Sequence, residues 1–365
     1  MLTSWILALS LAATPWNHPG YDAGDSHYNP AESVINEGSV RNLAATWSVR
    51  LRDIEESCSG FSAPLLTGGR VIVTDKRGIS SYDATNGRPA WRFDWDFPDD
   101  NGTPVLAVSD RLLIAANGDC NSMSDPDGQL TAIDPATGAT RWKLETDIPI
   151  HSVVVDNGVI VISGWSPSDE DVVIAHRASD GTELWREPGW SSAGVALNGA
   201  VLMRKTDGSG QPDGGTSAIG VTRGELRWSR LENWTAQAAF GNRFYVTDRR
   251  GDLLAVDGTD GAVTWTAAGK ASTLVATDGR RVYRSSGRHV EALDARNGRV
   301  RWATPLGVEA RQPVRAGGLL YAGGTVLTAS RGIAAGPMFG GHVIVAGGAL
   351  YRVDRGTLTA YAPRP

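Results

Sequence analysis

The residue types able to do chemistry in this chain are two cysteines, a few paired carboxylates and six histidines, and spacing decides what each can be. Cys58 and Cys120 can form a disulfide in an exported protein, provided the fold brings their Cα atoms within about 7 Å. Two lone thiols do not make a metal site. Asp125 and Asp127 in NGDCNSMSDPDGQ (117 to 129), and Asp169 and Asp171 in GWSPSDEDV (164 to 172), could offer oxygens to calcium. Neither run has the twelve-residue ligand spacing of an EF-hand, and drifting surface loops are the competing reading. The histidines show no HExxH pattern and no pairing with cysteine, so each is expected to be a surface or turn residue. No Gly-x-Ser-x-Gly elbow is present, and the glycines of AGGLLYAGG (316 to 324) precede no helix, so neither a serine nucleophile nor a phosphate cradle is expected. A net charge of −5 with scattered arginines argues against nucleic acid as a partner.

The elements that must position these residues are written in a repeat. SYDATNGRPAW (81 to 91), AIDPATGATRW (132 to 142), AHRASDGTELW (175 to 185), AIGVTRGELRW (218 to 228), AVDGTDGAVTW (255 to 265) and ALDARNGRVRW (292 to 302) each carry a glycine four residues before a tryptophan. That spacing is a β-hairpin. Asp83, Asp134, Asp257 and Asp294 stand where a carboxylate can accept from turn amides, and the glycine can take the left-handed conformation that closes the turn. A small residue such as Ala132 or Ala255 precedes the turn on one strand. On the next strand Trp91, Trp142, Trp185, Trp228, Trp265 or Trp302 offers an apolar face and one N–H for docking against the adjacent sheet. With two short strands upstream of each hairpin, every repeat supplies four strands, A to D. The fold predicted is all-β: an eight-bladed β-propeller of four-stranded antiparallel blades.

Six blades are assigned to about 61–95, 103–146, 149–187, 192–231, 235–268 and 271–306. Residues 311–340 read as a worn seventh blade without its tryptophan; if they are only a linker, the count falls to seven. Residues 342–363 match strands A to C of an eighth blade. Its D strand is expected at the other end of the chain, where residues 43–51 carry Trp47, another docking tryptophan, so that pairing the two ends closes the ring and removes an exposed sheet edge. In such a blade the D-to-A and B-to-C connections emerge on one face. Cys58 and Cys120 then fall on neighbouring blades of that face, together with the three longest insertions, 117–129, 164–172 and 206–217. Long loops on one arc are where a propeller places partner contacts.

Residues 1–14 (MLTSWILALSLAAT) hold an apolar stretch too short to span a bilayer, followed by small residues, and are expected to be a signal peptide. The chain divides into that peptide, a lead-in segment over 15–42 and the propeller over 43–365. A secreted or cell-envelope location, no membrane span and a monomer are expected.

The motif AIDPATGATRW resembles the tryptophan-docking motif of the pyrroloquinoline-quinone (PQQ) repeat propellers, and GYDAGDSHYNPAESVINEGSVRNLAATW (20 to 47) resembles the lead-in segment of quinoprotein dehydrogenases. The resemblance implies alcohol or sugar dehydrogenases with PQQ and calcium as one class of relative, and non-enzymatic scaffolds of outer-membrane assembly as another. The alcohol dehydrogenases carry adjacent cysteines beside the cofactor, whereas Cys58 and Cys120 are far apart and no set of Glu, Asn and Asp presents itself as calcium ligands. A quinone with several carboxylates would want cations and an aromatic floor at the channel mouth, and the residues entering the A strands offer Trp190, Trp234, Lys270 and Arg311. The leading expectation is an exported non-catalytic scaffold that binds a protein or small ligand on the long-loop face of blades 2–4. The rival is a small PQQ-dependent oxidoreductase acting on an alcohol or sugar.

Overall fold

The computed structural model describes residues 15–109, 111–121, 126–166, 169–207, 211–269 and 273–364. The signal peptide expected at residues 1–14 lies outside them. Among the described residues no helix is long and apolar enough to cross a membrane.

Eight four-stranded sheets form the ring. Blade 1, built from Leu65–Thr67, Arg70–Asp75, Gly78–Asp83 and Pro89–Asp94, sets the up-and-down pattern that blades 2 to 6 follow. Blade 8 takes His342–Ala346, Ala349–Asp354 and Thr357–Pro363 from the end of the chain and Leu43–Arg50 from its beginning, with Trp47 opposite Ala360. The predicted closure is therefore the one observed.

Blade 7 is a blade and not a linker. It supplies only three strands of its own, Val314–Ala316, Leu319–Ala322 and Thr325–Thr328. Its fourth, Tyr28–Asn29, comes from the lead-in segment and runs parallel to strand A, on the side facing the channel. Where a D strand would stand there is a single bridge, Leu327 to Ala334.

The repeat motif explains why the blades pack. Each tryptophan sits directly across from a small residue on strand C: Trp91 from Ser81, Trp142 from Ala132, Trp185 from Ala175, Trp228 from Ala218, Trp265 from Ala255 and Trp302 from Ala292. The indole then reaches the next blade. Trp47 Nε1 donates to Ala84 O, Trp91 to Pro135 O, Trp142 to Ala178 O, Trp185 to Val221 O, Trp228 to Gly258 O, Trp265 to Ala295 O and Trp302 to Ala329 O, all at 2.8–3.1 Å. Its ring lies on the turn glycine of that next blade, at Gly87, Gly138, Gly181, Gly224, Gly261, Gly298 and Gly332 in turn, each with a φ between 67° and 77°. The turn aspartates act as expected, with Asp83 accepting from the Thr85 amide and Asp257 from the Thr259 amide.

Blade 7 breaks the pattern at one position. Four residues after Gly332 stands Gly336 instead of a tryptophan, and a Cβ there would come within 2.9 Å of Val40. The lead-in segment thus fills the seam between blades 7 and 8 that an indole fills elsewhere, with Val40 and Ile35 fully buried.

Candidate functional site

The central channel is closed at one end by the chain itself. Residues 16–29 cross its floor as a strap that meets strand A of every blade in order. Leu66 N–H donates to Trp16 O on blade 1, Val108 N–H to Asn17 O on blade 2, and His18 Nε2 to Val155 O on blade 3, at 3.1, 2.8 and 2.8 Å. Ala196, Ala239, Thr277 and Arg315 N–H groups then donate to Ala23, Gly24, Ser26 and His27 carbonyls on blades 4 to 7, and Asn29 Nδ2 reaches Val345 O on blade 8. Nearly all of these partners lie late in strand A, so the strap covers the face opposite the B-to-C hairpins. Its turn is held by Asp22, whose carboxylate accepts from the Ser26 amide and hydroxyl at 3.0 and 2.8 Å. Burial raises the Asp22 pKa and depresses that of His18, since both charged forms lose hydration there.

Above the strap, the lumen forms a cavity of about 310 Å³ walled by Pro19, His27, Leu274, Arg311, Gln312 and His342. Burial, and then the Arg311 guanidinium, hold the His342 pKa low. Among the described residues no Asp or Glu lines this cavity, and no Trp, Tyr or Phe.

A second cavity, of about 260 Å³, sits under the B-to-C hairpins of blades 3 and 4 and shares no described lining residue with the first. Strands A, B and C of blade 3 contribute His151, Ser163, Trp165 and Asp171, and blade 4 contributes Ser191 and Arg204. Trp234 lines it from the base of blade 5 and is 3% exposed.

Of the expected cofactor residues, the three that are described do not line one cavity. Arg311 lines the lumen and Trp234 the second cavity, while Trp190 is half-buried against the core between blades 3 and 4. Lys270 and Asp125 lie outside the described residues. Among those described, no group of three or more His, Cys, Asp or Glu side chains could hold a metal ion. Cys58 and Cys120 form a disulfide, with their Cα atoms 6.4 Å apart, joining the lead into blade 1 to the B-to-C loop of blade 2. The strap and the Asp171–Arg204 cavity were not expected. The first has no strand periodicity, because its partner changes at each step; the second assembles from strands far apart in sequence.

A ring of eight blades, seven of them carrying a docking tryptophan, around a floored channel defines a PQQ-repeat propeller. The family model described as outer membrane protein assembly factor BamB matches residues 44–152, 126–240 and 169–364, and the chain belongs to that family. Among curated proteins it is 24% identical over 305 residues to quinohemoprotein alcohol dehydrogenase ADH-IIG of Pseudomonas putida, covering 74% of this chain and 41% of that one. It is 25% identical over 136 residues to 1-butanol dehydrogenase (cytochrome c) of Thauera butanivorans, covering 37% of this chain and 19% of the other. The chain thus spans less than half the length of these curated relatives. Two solved structures share the fold. Quinohemoprotein alcohol dehydrogenase from Comamonas testosteroni superposes with a TM-score of 0.70 at 13% identity, over 96% of this chain and 82% of that one. BamB from Moraxella catarrhalis superposes with a TM-score of 0.63 at 17% identity, over 88% and 99%.

The cofactors such relatives imply can be tested against the lumen. Calcium takes six to eight oxygen ligands, carboxylates prominent among them, and the described lining of this cavity has no carboxylate to give. A flat quinone bearing several carboxylates would meet one guanidinium and two imidazoles there, and no Trp, Tyr or Phe ring among the described residues. The described lining of this cavity offers no carboxylate cage for calcium.

Proposed function

We propose that this protein is an exported, non-catalytic propeller that docks a protein partner on the face bearing the B-to-C hairpins of blades 2–4. The observation that carries this reading is the disulfide-braced rim. The longest hairpins stand on three consecutive blades, opposite the strapped face, and Cys58–Cys120 ties the first of them to blade 1. A disulfide is at home in an oxidising compartment, which supports action outside the cytoplasm. Loops projected from a rigid ring suit protein recognition, and the kinship with BamB supports a scaffold.

The kinship with quinohemoprotein alcohol dehydrogenases favours a second reading, a PQQ-dependent oxidoreductase with Arg311 at the cofactor and Trp190, Trp234 and Lys270 around the mouth. Titrating the purified protein with PQQ, with and without calcium, separates the two through tryptophan fluorescence. The scaffold reading expects a flat titration and no reduction of an artificial acceptor by ethanol or glucose. Saturable quenching lost in Arg311→Gln, together with acceptor reduction, would overturn it.

A further inference from the structure

The cavity under the hairpins of blades 3 and 4 holds two opposite charges that do not meet. Asp171 is 3% exposed, and its Oδ2 is shut off from solvent without a hydrogen-bond donor. Its backbone carbonyl accepts from the Gly189 amide at 2.7 Å. Across the cavity, half-buried Arg204 is held in place by hydroxyls: Nε donates to Ser191 Oγ at 3.0 Å and Nη1 to Thr235 Oγ1 at 3.2 Å. Both hydroxyls fix the direction of the guanidinium, and among the described residues no ion pair joins Arg204 to a carboxylate.

Burying a charge without a partner is costly, and native structures ordinarily pair it. Here the carboxylate and the guanidinium line one cavity, so a single ligand can answer both. A neutral polyol would leave each charge unneutralised. A simple anion would satisfy Arg204 and be repelled by Asp171, and a simple cation would do the reverse. A zwitterion with an N–H-bearing ammonium at one end and a carboxylate at the other matches both poles, each through a charge-assisted hydrogen bond. The volume of about 260 Å³ lies just under the range usual for drug-sized ligands, which limits the occupant to an amino acid or a dipeptide. Ser163, Ser192 and the half-buried Trp165 complete the walls, with Ser163 Oγ already accepting the Ser192 amide at 3.1 Å.

We propose that this cavity binds a small amino-acid zwitterion, with its ammonium on Asp171 and its carboxylate on Arg204. The site holds whether or not the rim above it docks a protein, and its test is separate from that of the scaffold reading.

Isothermal titration calorimetry of the full protein with glycine, L-alanine, L-leucine, 4-aminobutyrate and L-alanyl-L-alanine is the experiment. At least one should bind with a stoichiometry near one. Its N-acetyl and C-amide derivatives should each bind at least about tenfold more weakly. Glycine betaine, which carries both charges and no N–H, should fail against Asp171. Asp171→Asn should remove the preference for a free amine, and Arg204→Gln the preference for a free carboxylate, with thermal unfolding confirming that each variant folds. If a variant does not fold, the derivative series on the unmodified protein decides alone. No heat from any of the five at about 10 mM, or equal binding of glucose or of the N-acetyl derivative, would overturn the proposal.

Discussion

A glycine and an indole, four residues apart in one motif, act in different blades: each indole lies on the glycine of the next motif. At Gly261 the backbone has φ 76°, and a Cβ would come within 2.6 Å of the Trp228 ring. Gly261→Ala should therefore cost about 1–3 kcal/mol, from backbone strain and overpacking together, read as a lower midpoint in urea. Trp228→Phe keeps an apolar face and loses the Nε1–H bond to Gly258 O, and should cost about 1 kcal/mol or somewhat more. These residues were legible in the sequence because every property of the motif is local: a capping carboxylate, a left-handed turn, a small cross-strand neighbour. His18 was not legible, since nothing in NHPG says that its ring will lie buried against the Val155 carbonyl. That burial has a pH signature. His18, His176 and His342 all have pKa values depressed below 6.5, with burial the largest cause. The unfolded chain then binds more protons than the fold as pH drops through 6.5, so stability is full above that value and declines below it. Asp22 and Asp156, raised above 3.8 by burial, protonate more readily in the fold and offset part of the loss at lower pH. The melting temperature should fall between pH 7.5 and 5.5 (about one unit either side of the histidine value), and His18→Gln should flatten that slope. A pH-independent midpoint would contradict the assignment.

At the scale of elements, the strap shows where sequence reading stopped. The blades announce themselves by repetition, and the hairpin insertions by their length. Residues 16–29 repeat nothing and alternate nothing, because their successive bonds to the ring go to different strands and the required geometry is set by the ring. Even the worn seventh blade follows from the lead-in segment: Tyr28–Asn29 occupies its channel side and Val40 its outer seam, so neither a D strand nor a docking tryptophan is needed there. The strap supplies the acceptors for amides that would otherwise face the lumen. A chain starting at Tyr28 should therefore exchange the Leu66, Val108, Ala196, Ala239, Thr277 and Arg315 amide hydrogens much faster than the intact protein. Amides between strands B and C should keep their protection. Unchanged exchange at the six positions would mean that the strap is not what shields them.

For the whole molecule, closure depends on one stretch of chain that is used repeatedly. Residues 16–29 floor the channel, Val40 packs the last seam, and Leu43–Arg50 pairs with Thr357–Pro363 and carries Trp47 onto Gly87 of blade 1. Each blade otherwise touches only its two neighbours, so a ring interrupted at blade 8 becomes an open arc with an unpaired strand and an undocked turn. Removing the floor alone leaves every blade-to-blade contact in place, whereas removing the closing strand breaks the circuit. A chain starting at Tyr28 should thus still unfold in a single cooperative transition, at lower temperature. A chain starting at Leu51 should melt broadly and self-associate through the exposed edge of Thr357–Pro363, seen as a rise in scattered light before the transition. A sharp, monomeric transition in the second variant would show that the ring does not need this strand to act as one cooperative unit, and that tryptophan docking between consecutive blades is enough.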